Sequence, residues 1–177
     1  MARLPDNITV TVGEVSQTID LSEFSEVDFV GQNNLKTRIT QEIIDRIVDR
    51  SKGGQDIRGN SFKPYKKSYK DSDTFEAFEK GNNVNMTLTG DMLSSINSVS
   101  DQGNEIKIGW NDQENNAKAF NHMTGDTVRK REFFGIQKNI IKEVLKDFKE
   151  EISNLKESQS GEPVVGSLSI GGFLGEG

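Results

Sequence analysis

His122 is the only histidine in the 177-residue chain, and the chain has no cysteine. An imidazole is the usual general base near neutral pH and the commonest metal ligand. Either task needs partners. A zinc site would have to surround this one imidazole with carboxylates, an uncommon ligand set. Asp126 follows four residues later, but Gly125 lies between them and ends a shared helical face. A Ser-His-Asp triad is assembled from distant positions, yet the Gly-x-Ser-x-Gly turn that presents such a serine does not occur. No phosphate-cradling glycine loop occurs either: Gly53-Gly54 follows a helical pattern rather than a strand. The 28 acidic residues are not paired by sequence at the separation that glycoside hydrolysis requires. His122 therefore reads as structural. The expectation is no catalytic residue, no cofactor and no metal.

Two clusters have the chemistry to bind rather than react. Phe62, Tyr65 and Tyr69 are interleaved with Lys63, Lys66, Lys67 and Lys70. Rings for stacking and cations for phosphates make a single-strand nucleic-acid surface. The same residues also suit a loop wrapped on a sheet, with rings and lysine stems buried and ammonium groups wet, or a protein interface. Arg129-Lys130-Arg131 precedes Phe133-Phe134. The two rings read as core anchors. The triplet reads as a solvated strand edge or as a partner for acidic groups on a neighbouring subunit. A third stretch, 20–33, sets Phe24 and Phe29 among Glu23, Glu26 and Asp28. It reads as a linker, or as an arm whose rings dock on an adjacent subunit.

Composition narrows the partners. A net charge of −6 disfavours non-specific attachment to nucleic acid, which is dominated by the phosphate backbone. The first residues lack the apolar run of a secretory signal, and no stretch reaches the roughly 20 apolar residues of a membrane span. A soluble protein made in the cytoplasm, without membrane contact, is expected. Hydrophobic residues amount to 32%, which implies a modest core with parts supported by neighbours.

The elements that must position these residues follow from periodicity. Ile8, Val10 and Val12 alternate with polar residues, predicting a strand over 7–12, and 15–19 can return beside it. Leu35, Ile39, Ile43 and Ile47 recur every four residues on a helix running to about Ser51. Residues 55–70 read as a loop broken by Gly59-Asn60 and Pro64, and 71–80 as a short helix or flap. Val84, Met86 and Leu88 predict another strand, after which Thr89 or Asp91 caps a short helix. A hairpin turns at 101–104, with Gly103 in positive φ, and ends at Gly109-Trp110. Residues 111–116 read as polar loop and 117–123 as a short helix. From Ile136, the residues Ile140, Ile141, Val144, Leu145, Phe148, Ile152 and Leu155 form a helical stripe to about Lys156. The fold class expected is α+β: a small antiparallel or mixed sheet of about four or five strands, with two long helices packed on one face. Residues 1–33 are expected to form an N-terminal strand and arm, 34–157 the core domain, and 158–177 a flexible tail rich in Gly and Ser.

One stretch also carries a likeness. Leu88-Thr-Gly-Asp-Met-Leu-Ser-Ser-Ile96 is followed by Ile108-Gly109, by Ala117-x-x-x-Asn121-His122, and by a basic turn into Arg131-x-Phe133-Phe134-Gly135. In order and spacing these resemble the phage virion morphogenesis and tail-completion proteins of the neck, where head and tail join. The likeness runs roughly over 39–148, and Phe62-x-Pro64-Tyr65-x-x-x-Tyr69 resembles a loop of the same family. It implies a structural virion protein that binds rather than catalyses. Copies would close into a ring, about six or twelve in number, against portal, adaptor or tail proteins. DNA would pass through the channel without specific binding. Phe24, Phe29, Phe62, Tyr65, Tyr69, Arg129, Lys130 and Arg131 are the interface candidates. The competing expectations are a small virion-associated hydrolase and a nucleic-acid-binding accessory protein.

Overall fold

Four strands make one mixed sheet in the order β2-β1-β4-β3: β1 (Asn7–Val12), β2 (Val15–Asp20), β3 (Asn97–Gln102) and β4 (Glu105–Gly109). This computed structural model describes residues 5–24, 32–79, 81–86 and 90–160. The two hairpins are antiparallel, and they join through a parallel pairing of β1 with β4 that sets Thr9 opposite Glu105 and Val12 opposite Ile108. Ile8, Val10, Val12, Ile106 and Ile108 all point to one buried face. The opposite face is polar, and there Thr9 bonds Thr18 and Thr11 bonds Ser16 across the first hairpin, each at 2.8 Å.

Two long helices cover the apolar face, as the α+β expectation had it. Helix α1 (Gln32–Lys52) lies against β3 and β4. The C-terminal long helix, Lys138–Ser160, lies against β2 and against α1. Leu35, Ile39, Ile43 and Ile47 of the first, and Ile141, Val144, Leu145 and Ile152 of the second, are buried in one core. On the wet side of this seam Arg38 makes a two-pronged bond to Glu151, at 2.7 and 2.8 Å. Arg46 bridges Glu42 at 2.8 Å and Glu143 at 3.2 Å. These exposed pairs fix register more than they add stability.

Among the described residues four shorter α-helices lie between these two: α2 (Lys67–Lys70), α3 (Asp73–Ala77), α4 (Asp91–Ser94) and α5 (Gln113–Thr124); the C-terminal helix is α6. Several expectations are revised. The first hairpin was expected to lie outside the 34–157 core, but β1 is an inner strand of the sheet, paired along one edge with β2 and along the other with β4, and its Ile8-Val10-Val12 face is buried in the core. Val84 and Met86 are not in a strand. Val84 is buried against the end of α1, where its carbonyl oxygen passes so near Gly54 that a Cβ there would sit 2.7 Å away. Met86 takes a left-handed φ of 54°. The loop expected at 111–116 is already helical from Gln113, because the Asp112 carboxylate accepts the Asn115 backbone N–H at 2.7 Å and starts α5 there. The residue before α4 is Gly90, with φ 91° and no side-chain cap, so Asp91 is the first helical residue rather than the cap. Helix α6 begins at Lys138 and continues to Ser160, past the boundary expected at 157. Phe29, Thr89 and the tail 161–177 lie outside the described residues.

Candidate functional site

The basic-aromatic loop and the basic triplet, far apart in sequence, meet at one cavity. The loop is anchored first. The Phe62 N–H donates to the Gly54 carbonyl at 2.7 Å, and the Phe62 ring is buried. Beyond Pro64 the chain turns into α2 and α3, where Tyr65, Tyr69 and Phe75 pack ring on ring with centroids 5.1 to 5.7 Å apart. Edge and tilted contacts of this kind suit the quadrupoles of the rings. The Asn85 backbone N–H bonds the Tyr65 hydroxyl, which fixes that ring against the 84–86 segment.

The triplet is placed by the end of α5. Gly125 closes that helix at φ +83°, and a Cβ there would lie 2.8 Å from the Lys130 Cβ. Only glycine allows the chain to fold back this closely. The Arg131 N–H then donates to the His122 carbonyl at 2.7 Å. The guanidinium of Arg131 comes to lie over the Tyr65 ring, 5.4 Å from its centroid. Phe133 is fully buried and meets the edges of both Trp110 and His122. Its carbonyl accepts from Arg50 Nη2 at 2.6 Å.

Between these two segments is a cavity of about 360 Å³. Tyr65, Tyr69, Val84, Met86 and Val128 form its walls, Lys66, Arg129 and Arg131 bring the cations, and His122 lines it as well. Arg131 is only 8% exposed. Burial lowers the affinity of its guanidinium for the proton; Tyr65 opposes this and Arg129 adds to it. Glu132, next in sequence, is engaged elsewhere, by Lys130 at 2.8 Å and Arg58 at 3.2 Å. Among the described residues, no carboxylate makes an ion pair with Arg131. His122 is pushed down to about 4, by burial first and by the Arg131 charge second, so it is neutral at pH 7. Burial raises Tyr65, and Arg131 partly offsets that.

No family model, curated protein or solved structure matches the chain. Among the described residues, no group of three or more His, Asp or Glu is disposed to hold a metal ion. No described helix is long and apolar enough to cross a membrane.

The interface candidates divide by position. Tyr65, Tyr69, Arg129 and Arg131 come together at the cavity. Lys130 is exposed and held by Glu132. Phe62 is buried within the loop it anchors. Phe24, expected on an outward arm, is instead 4% exposed at the end of a short 3-10 turn (Ser22–Phe24), with the Lys149 and Lys156 ammoniums of α6 over its ring at 5.9 and 5.7 Å. It belongs to the molecule's own core because α6 passes over it.

Sequence reasoning missed an outward apolar strip. Phe120 on α5 is 59% exposed and Val99 on β3 is 40% exposed. They flank a groove of about 400 Å³ that also touches Trp110, Met123 and Phe134. The available signal was Ala119 beside Phe120: neighbouring helix residues face different ways, so a small buried Ala119 sends Phe120 outward. Val99 stands at the irregularity between Ser98 and Ser100, where β3 slips against β4.

Proposed function

We propose that this chain is a structural protein of the phage neck, a head–tail connector or tail-completion component that assembles with copies of itself around the DNA path. The observation that carries the reading is the convergence of the sequence strings behind the family likeness. The Trp110 indole N–H donates to the Met92 carbonyl at 2.7 Å, tying the end of the β3–β4 hairpin to the Asp91–Ile96 string. The Arg131 N–H ties the Arg131–Gly135 string to His122 of the Ala117–His122 string. Phe133 packs between Trp110 and His122. Strings that form one packed unit support a shared architecture more strongly than scattered matches do.

The surface supports assembly. Phe120 and Val99 provide an apolar strip of the kind that marks an interaction face, and it replaces Phe24 as the docking candidate. In a closed ring, one face of each subunit meets a different face of the next. Among the described residues, strands β2 and β3 are the two edges of the sheet, and sheet edges are available to neighbouring chains. The net charge of −6 gives a wall of the same sign as DNA, which lets it slide by. The partners in this reading are portal, adaptor or tail proteins.

The test is the mass of the purified protein by light scattering, alone and after Phe120→Glu. The reading expects closed rings, or monomers that close onto tail or connector proteins, and loss of that association in the variant with the melting temperature unchanged. A fixed monomer that binds no neck component, and virions that attach tails normally without this protein, would overturn it.

A further inference from the structure

We infer that the cavity beneath Tyr65 and Tyr69 is a binding site for an acidic peptide of a partner protein, taking one side-chain carboxylate against Arg131 and the apolar residue beside it against the ring and valine walls. Three observations carry this, and none depends on the neck reading.

The first is the state of Arg131. It is more than nine-tenths buried, lines the cavity, and its Nε has no acceptor. A guanidinium is always charged, and when buried it is ordinarily met by a carboxylate or by carbonyl groups. Here the nearest acid in sequence, Glu132, is held by Lys130 and Arg58. The second is His122. Its Nδ1 is also buried without a partner, and it lines the same cavity. Buried polar atoms without partners are rare, and here two residues with such atoms line one space. As the Nδ1–H tautomer, His122 is a second donor to an oxyanion. The third is the wall. Val84, Met86 and Val128 make the cavity largely apolar, while Lys66 and Arg129 add positive charge.

This combination selects the ligand class. An arginine fork matches the two oxygens of a carboxylate. A phosphate dianion would draw on the cations of the site but gains nothing from the apolar walls. A carboxylate flanked by an aromatic or branched side chain uses both halves of the site. The Tyr65 and Tyr69 rings offer such a neighbour a stacking surface.

The single histidine is a built-in reporter. The intact protein is titrated with acetyl-Phe-Glu-Phe-amide while the His122 ring resonances are followed by NMR. Saturable movement is expected, together with a rise of the His122 pKa from about 4, because the bound carboxylate offsets the Arg131 charge. The Gln version of the peptide leaves the resonances in place. Arg131→Gln weakens binding at least about tenfold. Since that variant alters a buried position, Lys66→Glu is measured beside it: this exposed reversal leaves the fold intact and weakens binding about threefold or more, an effect lost at high salt. The assignment is overturned if the Glu peptide fails to move His122, if the Gln peptide moves it equally, or if inorganic phosphate binds as tightly as the Glu peptide.

Discussion

The Arg131 backbone N–H donates to the His122 carbonyl oxygen at 2.7 Å, and this one bond decides what both side chains face. It folds the segment after α5 back on the helix, so that the guanidinium lies over the Tyr65 ring and the imidazole lies edge-on to Phe133. Arg131 then changes the chemistry of His122: its charge adds to burial in keeping the imidazole neutral.

That coupling predicts a pH dependence. The folded pKa of His122, about 4, is below the ordinary value of 6.5. A depressed pKa means that the unfolded chain binds the proton more readily. The contribution of neutral His122 is complete above pH 6.5 and is lost progressively as the pH falls towards 4. His122→Gln removes this component. The melting-temperature difference between wild type and variant is therefore expected to be constant above pH 7 and to move in the variant's favour between pH 6.5 and 4. A difference that stays flat across that window would contradict a buried neutral imidazole.

Gly125→Ala tests the fold-back directly. The residue sits at φ +83°, and the new Cβ would lie 2.8 Å from the Lys130 Cβ. Both strain and a clash follow, at a cost of about 1–3 kcal/mol. Urea denaturation measures it. Gly13, at φ +61° with nothing near its Cβ position, is the control, with strain but no clash, and it should lose less.

Leu145→Ala tests the seam between the long helices. Leu145 is buried in the core shared by α1, α6 and the sheet. Truncation leaves a cavity and costs about 2–5 kcal/mol. An unchanged melting temperature would mean that α6 does not pack there.

The sequence made the regular parts legible and left the irregular parts hidden. Ile8-Val10-Val12, Leu35 to Ile47 and Ile140 to Ile152 repeat at strand and helix periods, and each became the element its period predicts. Parallel pairing of β1 with β4 could not be read, since nothing in Asn7–Val12 names a partner almost a hundred residues away. Val84-Met86 alternates like a strand, but a strand needs a neighbour, and this segment instead packs on Gly54. The site was half legible. The Tyr65–Lys70 loop and the Arg129–Arg131 triplet were recognisable as binding material, while their meeting depends on Gly125 and on a backbone bond to His122. Phe24 misled because an acidic neighbourhood looks solvated, and the lysines of α6 that cover it come from the far end of the chain.

The order of the strands also dictates when this molecule can exist during its synthesis. The hairpin of β1 and β2 is made well before its partners: β1 finds its second neighbour only when β4 emerges, and β2 meets its helix only when α6 does. An isolated two-stranded hairpin is marginal in water, and pairings so distant in sequence close slowly. The face of Ile8, Val10 and Val12 therefore waits for later segments of the chain to cover it. A nascent chain stalled before α6 would leave part of this core open to chaperones and proteases.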